Sequence, residues 1–310
     1  MTTAATIVPT KSTNVRIPYS SLAAAGFIRF LGWSSPGIST RLAAWLWSHP
    51  TRYARPAREV AVLSSGEPMK IPYGMGGIQA WTWGKGPVIL LVHGWEGRGS
   101  QLGSFVDPLV RAGFRVVTFD APGHGDSTGD QASLFTFVDA IHTVARHVGP
   151  IHTAIAHSMG GASVLAALNS GFEVGRVVFL APADASLAIG RFADTVGMSD
   201  VVRERLRDLV EARHGAAIES IRGDRLAASM NIPALVFHDD RDRFVPMSDA
   251  ESISGAWPGA ELRRTHGLGH HRILRDQQVV GAAIDFIAPG ANVHNSMIEE
   301  ILADLRWGRD

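Results

Sequence analysis

The run Val88-Ile89-Leu90-Leu91-Val92 constrains this chain more than any other feature. Five apolar residues without alternation suit a strand buried on both faces, and such strands belong to parallel sheets covered by helices on either side. Comparable runs recur along the chain with helical stretches between them. Residues 59–64 and 78–83 read as earlier strands. Beyond Val88–Val92 the pattern predicts helix 101–111, strand 114–119, helix Leu134–Val148, strand 151–156, helix 159–168 and strand 176–180. After an interruption come strand 233–237, helix 249–256, strand 261–264 and helix 272–287. Strands alternating with helices imply an α/β architecture with a mostly parallel central sheet flanked by helices.

Three regions follow. Residues 1–57 form an N-terminal helical extension, with apolar helical stretches at 22–33 and 40–47 separated by Pro36 and Gly37 and closed by Pro50 and Pro56. Its tryptophans Trp33, Trp45 and Trp47 are expected to pack as a belt over the core, contact with a lipid surface being the alternative. Residues 58–288 carry the alternating pattern. Within them, about 183–230 reads as a short helical cap between two core strands, with Val201, Val202, Leu206, Leu209 and Val210 at helical spacing. Pro182 and Pro233 stiffen its two ends. Phe192 and Met198 are the cap residues expected to touch substrate at a pocket mouth. Residues 289–310 form a C-terminal tail, helical over 296–307, with Ile298, Ile301, Leu302 and Leu305 on one face. That face either docks onto the domain or joins two copies as a homodimer.

Composition removes several classes of function. The chain has no cysteine, which excludes disulfides, thiolate metal sites and a cysteine nucleophile. Lys+Arg and Asp+Glu are both 29, so no basic field exists to attract nucleic acid. No apolar run reaches the roughly 18 residues of a membrane-spanning helix, and the polar start MTTAATIVPTKS does not read as a signal peptide. The expected setting is cytoplasmic.

The chemistry-bearing motifs fall where predicted strands end. Ala156-His157-Ser158-Met159-Gly160-Gly161 sits between a strand and a helix, a corner that pushes a serine hydroxyl out above the sheet edge. Taken alone, Ser158 could equally be a helix N-cap. His238-Asp239-Asp240-Arg241-Asp242-Arg243 follows the next-to-last core strand, where open α/β sheets collect their sites. Ser248 and Glu251 then suggest a capping box for the next helix. Gly267-Leu268-Gly269-His270-His271 follows the last strand. His93, His124, His157 and His238 also gather near strand ends, but their spacing matches no metal-ligand pattern, and neither metal nor cofactor is expected.

Together with His93-Gly94-Trp95 and Asp120-Ala121-Pro122-Gly123-His124-Gly125-Asp126-Ser127, these motifs resemble the α/β-hydrolase fold family over about residues 60–288. The resemblance implies a serine hydrolase cleaving a carboxylic ester through an acyl-enzyme. Ser158 would be the nucleophile, His270 the base and then the acid, and Asp242 the group that orients His270. The backbone N–H groups of Trp95 and Met159 would form the oxyanion hole. The elbow is similar to that of monoacylglycerol lipases and lysophospholipases. Thioesterase, amide and carbon–carbon bond hydrolysis remain alternatives, as does a binding protein on the same scaffold. Two departures stand out: Ala156 and Asp239 occupy positions where the family commonly has glycine. Asp240, and Asp184 after an earlier strand, are rivals to Asp242.

Overall fold

The computed structural model describes residues 34–289 together with Gly26, so the tail helix expected at 296–307, and the 22–33 stretch apart from Gly26, lie outside the described residues. In chain order the strands are β1 (Glu67–Tyr73), β2 (Gly76–Trp83), β3 (Val88–Val92), β4 (Arg115–Phe119), β5 (Ile151–His157), β6 (Val174–Leu180), β7 (Ala234–Asp239) and β8 (Ala260–Thr265). They form one eight-stranded sheet in the order β1-β2-β4-β3-β5-β6-β7-β8. β2 is antiparallel to both β1 and β4, and every later pairing is parallel.

Helices α1 (Pro36–Ser48) and α2 (Ala57–Ser64) precede the sheet. α3 (Val106–Arg111), α4 (Leu134–Val148) and α5 (Met159–Asn169) connect its strands, and α6 (Ala188–Val196), α7 (Asp200–His214) and α8 (Gly223–Ala228) make up the insertion between β6 and β7. α9 (Met247–Ala256), α10 (Gly269–Arg272) and α11 (Gln277–Ile287) follow.

The unbroken apolar run does what its pattern requires. All five residues of β3 are buried. Leu90 and Val92 join a core with Phe137, Val164 and Ile253 from α4, α5 and α9. Ile89 and Leu91 face the other way, toward Leu102, Leu109 and Ile284. A period of two thus splits one strand between two helical layers.

A third cluster lies apart from both. Ala43 of α1 packs with Ile189 and Ala193 of α6, Val202 and Leu206 of α7, and Ile218. α1 therefore rests on the insertion and not over the sheet core, and Trp33 lies outside the described residues. Trp47 turns onto Phe192, with ring centroids 5.5 Å apart, while Trp45 is exposed. Of the predicted helical stripe, Val202, Leu206 and Val210 face this cluster and Val201 and Leu209 face out.

Two expectations fail near the first strand. Residues 59–64 are helical, within α2, because Pro56 supplies an extended N-cap and Ala57-Arg58-Glu59 are good helix formers in the first turn. The real first strand, β1, contains Pro68 and Pro72, which mask it in the sequence; as an edge strand it tolerates them. The expected capping box is also absent. α9 begins at Met247 behind Pro246 with no side-chain cap, and Glu251 pairs with Arg264 at 2.8 Å.

The sheet is held close to the start of α5. A Cβ on Gly160 would lie 2.4 Å from the His93 carbonyl oxygen and 2.7 Å from that of Val92. Both obstacles are backbone at the end of β3, so neither can swing away. Gly160→Ala is expected to lower unfolding free energy by about 1–3 kcal/mol, measured by urea denaturation. A loss under about 0.5 kcal/mol, within the range of ordinary surface changes, would show that the close approach is dispensable.

Candidate active site

β5 ends in a turn that few residues adopt. Ser158 has φ +53° and ψ −122°. Its N–H donates to the Leu180 carbonyl at 3.0 Å, and its own carbonyl accepts from Gly161 N–H at 2.9 Å as α5 begins. A non-glycine residue in such a region costs about 1–3 kcal/mol and persists only where its surroundings hold it. Gly94 and Gly160 leave the room: a Cβ on Gly94 would lie 2.9 Å from the Ser158 Cβ. Among the described residues only Glu96 (φ +53°) and Ala181 (φ +49°) share positive φ without being glycine. They follow β3 and β6, the strands on either side of β5. Ala156, in the family's usual glycine position, is fully buried in β5 and pairs with Val92 and Phe179.

The acid loop and the last loop meet at one contact. His270 Nδ1 lies 2.6 Å from Asp242 Oδ2, with both side chains almost wholly buried. Asp242 Oδ1 accepts the N–H groups of Phe244 and Val245 at 2.8 and 3.0 Å. Burial by itself would raise the Asp242 carboxyl; the hydrogen bond and charge of His270, with these two N–H groups, hold it below its ordinary value. The other acidic candidates are engaged elsewhere. Asp239 accepts from Thr265 and Leu268, Asp240 pairs with His266 at 2.8 Å, and Asp184 accepts from the Ser186 N–H and hydroxyl.

His270 is also gripped from behind. The His157 Nε2–H donates to the His270 carbonyl at 3.0 Å, and the two rings are 4.5 Å apart. His238 Nε2–H donates to the Val245 carbonyl at 2.9 Å, closing the loop that carries Asp242. The structure thus brings Asp242 and His270 together and places the Ser158 turn next to them. The Ser158 hydroxyl itself makes no hydrogen bond to His270 among the described residues; such bonds tighten when substrate arrives.

The two expected oxyanion donors, Trp95 and Met159, share a cavity wall with the serine. The Met159 N–H opens α5 and so has no intrahelical acceptor. Trp95 follows His93-Gly94 in a loop braced from outside. Glu96 N–H donates to His124 Nε2 at 3.1 Å, and Glu96 Oε1 accepts the Thr51 N–H at 2.9 Å. Arg98 is buried and donates to Glu59 at 2.6 and 3.0 Å, where the Ser100 hydroxyl also donates at 2.8 Å. The Asp120–Ser127 motif serves the same scaffold. Buried Asp120 accepts from Gly99 N–H, Asp126 N–H and Arg55, and Arg52 donates to the carbonyls of Gly123, Gly125 and Ser127.

Two of the clustered histidines use both ring nitrogens in hydrogen bonds. His93 Nε2 accepts the Ala121 N–H at 2.9 Å, so Nδ1 carries the proton and donates to the Gly94 carbonyl. His124 is arranged alike, between Glu96 N–H and the Pro122 carbonyl. Each ring therefore works as a neutral crosslink.

A cavity of about 310 Å³ opens beside Ser158, with Trp95 and Met159 on its wall. Phe192 lines it as expected. Met198 does not. Gly197 ends α6 in the left-handed conformation, the Met198 N–H reaches back to the Ala193 carbonyl at 2.9 Å, and Met198 turns into the third cluster beside Ala193. This Schellman ending, legible from Gly197, buries the residue that follows the glycine. Sequence reasoning missed Leu46 and Trp47, which line the cavity from the extension.

These features match known proteins. The model of the Alpha/beta hydrolase family matches residues 89–283, and the chain belongs to this family. It is 34% identical over 82 residues to a non-heme chloroperoxidase of Kitasatospora aureofaciens, covering 26% of this chain and 30% of that one. It is 22% identical over 252 residues to a pimeloyl-[acyl-carrier protein] methyl ester esterase of Aromatoleum aromaticum, covering 66% and 99%. Among solved structures it resembles the carboxylesterase CesB of Bacillus subtilis, with TM-score 0.55, 15% identity and coverage of 82% and 99%. Fold and family define a hydrolase of the α/β class. Among the described residues no helix is long and apolar enough to cross a membrane.

The buried histidines carry a pH dependence. Burial pushes His93 and His157 well below the ordinary histidine value and His124 to about 4. In the unfolded chain each titrates near ~6.5. Above that value both states are neutral. Below it the unfolded state takes up protons that the folded state refuses. Stability should therefore fall from pH ~6.5 toward ~4, by up to about 1.4 kcal/mol per pH unit for each histidine. Thermal melting at stepped pH should show this slope, shallower in His124→Gln. A melting temperature unchanged between pH 7 and 5 would contradict it.

Proposed function

We propose that the protein hydrolyses carboxylic esters with Ser158 as nucleophile, His270 as general base and acid, and Asp242 as the group that orients His270. The observation that carries this reading is the buried 2.6 Å contact between Asp242 and His270 beside the strained Ser158 turn. With Asp242 on Nδ1, the Nε2 lone pair of His270 is free to take the hydroxyl proton. Ser158 Oγ then attacks the ester carbonyl carbon, and the carbonyl π electrons move to oxygen. The N–H groups of Trp95 and Met159 hold that oxyanion, each worth about 3 kcal/mol in comparable sites.

Collapse of the tetrahedral species breaks the bond to the alcohol oxygen, which leaves with the proton from His270. Water, deprotonated by His270, attacks the acyl carbon. Ser158 departs from the second tetrahedral species, regains its proton and releases the acid. No step calls for a cofactor. Asp242 lies below its ordinary carboxyl value and stays ionised at neutral pH, as this role requires. The esterase names of two relatives agree with this reading.

A fluorophosphonate should add one adduct, mapped to Ser158 by peptide mass spectrometry and absent in Ser158→Ala. Asn substitution at Asp242 should lower ester turnover about 10⁴-fold, while Asp184→Asn, Asp239→Asn and Asp240→Asn stay far closer to the parent. Folded protein that takes no adduct, or a collapse of turnover in Asp184→Asn in place of Asp242→Asn, would overturn the assignment.

A further inference from the structure

The cavity beside Ser158 has walls from three separate parts of the chain. Trp95 comes from the loop after β3 and Met159 from the start of α5, Phe192 from the insertion, and Leu46 and Trp47 from the end of α1. α1 shares its apolar cluster with the insertion and not with either core of the sheet. The tilted contact of Trp47 with Phe192, 5.5 Å between centroids and 49° between ring planes, joins the two walls. The chain leaving α1 is fixed at this end, since Ser48 accepts the Ala132 N–H at 2.8 Å through its carbonyl.

The walls also state what charge they accept. Asp184 and Arg191 are their charged side chains, and both are already engaged. Arg191 donates from both terminal nitrogens to the buried Asp249, at 2.6 and 2.5 Å, and Asp184 takes two bonds from Ser186. A charged substrate group would have to compete with those partners, whereas apolar carbon fits the remaining surface. Position relative to the triad tells which half of an ester enters. Trp95 and Met159, beside the expected oxyanion, belong to the cavity wall and His270 does not, while Phe244, 5.2 Å from the His270 ring, and Val245 close the cavity toward the acid loop.

Resting on the ester-hydrolase reading above, we propose that α1 is the second half of the cap, and that Trp47 with Leu46 sets the length of a neutral, apolar acyl chain bound in this cavity. At about 310 Å³ the space sits at the small end of the roughly 300–1,000 Å³ of small-molecule sites. Acyl groups of intermediate length fill it, and long ones meet the Trp47–Phe192 wall.

The test compares nitrophenyl esters from acetate to dodecanoate on the parent, Trp47→Ala and Leu46→Trp, with alkyl butyrates as the series that varies the alcohol. Trp47→Ala should raise kcat/KM for dodecanoate relative to butyrate by about tenfold, the scale of one or two methylenes in an apolar pocket. Leu46→Trp should shift preference the other way, and it carries the test if Trp47→Ala does not fold. Alcohol preference should stay put. Unchanged acyl profiles in folded variants, or a shift confined to the alcohol series, would overturn the proposal. Fluorophosphonate labelling of the parent separates this failure from the other: parent protein that labels at Ser158 keeps the ester-hydrolase reading whatever the chain profiles show.

Discussion

The turn at Ser158 is the constraint on which the site depends. A positive φ at a residue with a side chain is unfavourable in isolation, and local sequence cannot hold it. It is held because β5 lies between β3 and β6, and because Gly94 and Gly160 let the end of β3 and the start of α5 come within contact distance of it. The parallel sheet is thus more than a core. It is the frame that forces one hydroxyl out of the backbone path at the strand ends, where the acid and histidine loops also emerge.

Around that frame the chain has built rigid supports from polar contacts. Glu59 and Arg98 form a buried ion pair behind the Trp95 loop. Such a pair adds little net stability compared with an apolar filling, yet losing one partner strands a buried charge and costs about 3–5 kcal/mol. Its effect is therefore to fix geometry. Arg52, Arg55 and the neutral crosslinks of His93 and His124 act on neighbouring loops in the same manner. Glu59, Arg52 and Arg55 come from the segment between α1 and β1, which therefore braces the Trp95 loop, while α1 borders the cavity.

The sheet was legible because burial on both faces leaves an unbroken apolar run, as in β3 and in Ala234–Phe237 of β7, and because strand and helix periods differ. Residues 59–64 misled because Val60 and Val62 alternate like a strand while Pro56 starts a helix. Ser158, His270 and Asp242 could be named from motif order. That Asp242 and none of Asp184, Asp239 or Asp240 would touch His270 depended on which loop oxygens the backbone had already occupied. The cavity was the least legible part. Its walls come from segments more than a hundred residues apart, and a one-residue cap geometry decided that Met198 packs inward while Phe192 faces the space. Trp47 carried no signal beyond being aromatic on a helix.

The central claim is that one arrangement of Ser158, the two N–H groups and the apolar cavity holds an acyl group for transfer. A crystal structure of the protein inhibited by a medium-chain alkyl phosphonate tests all three at once. The account predicts phosphorus bonded to Ser158 Oγ and the phosphonyl oxygen about 2.7–3.1 Å from the nitrogens of Trp95 and Met159. The alkyl chain should run toward Trp47 and Phe192. An adduct at another residue, or an oxygen turned away from those two N–H groups, would contradict it.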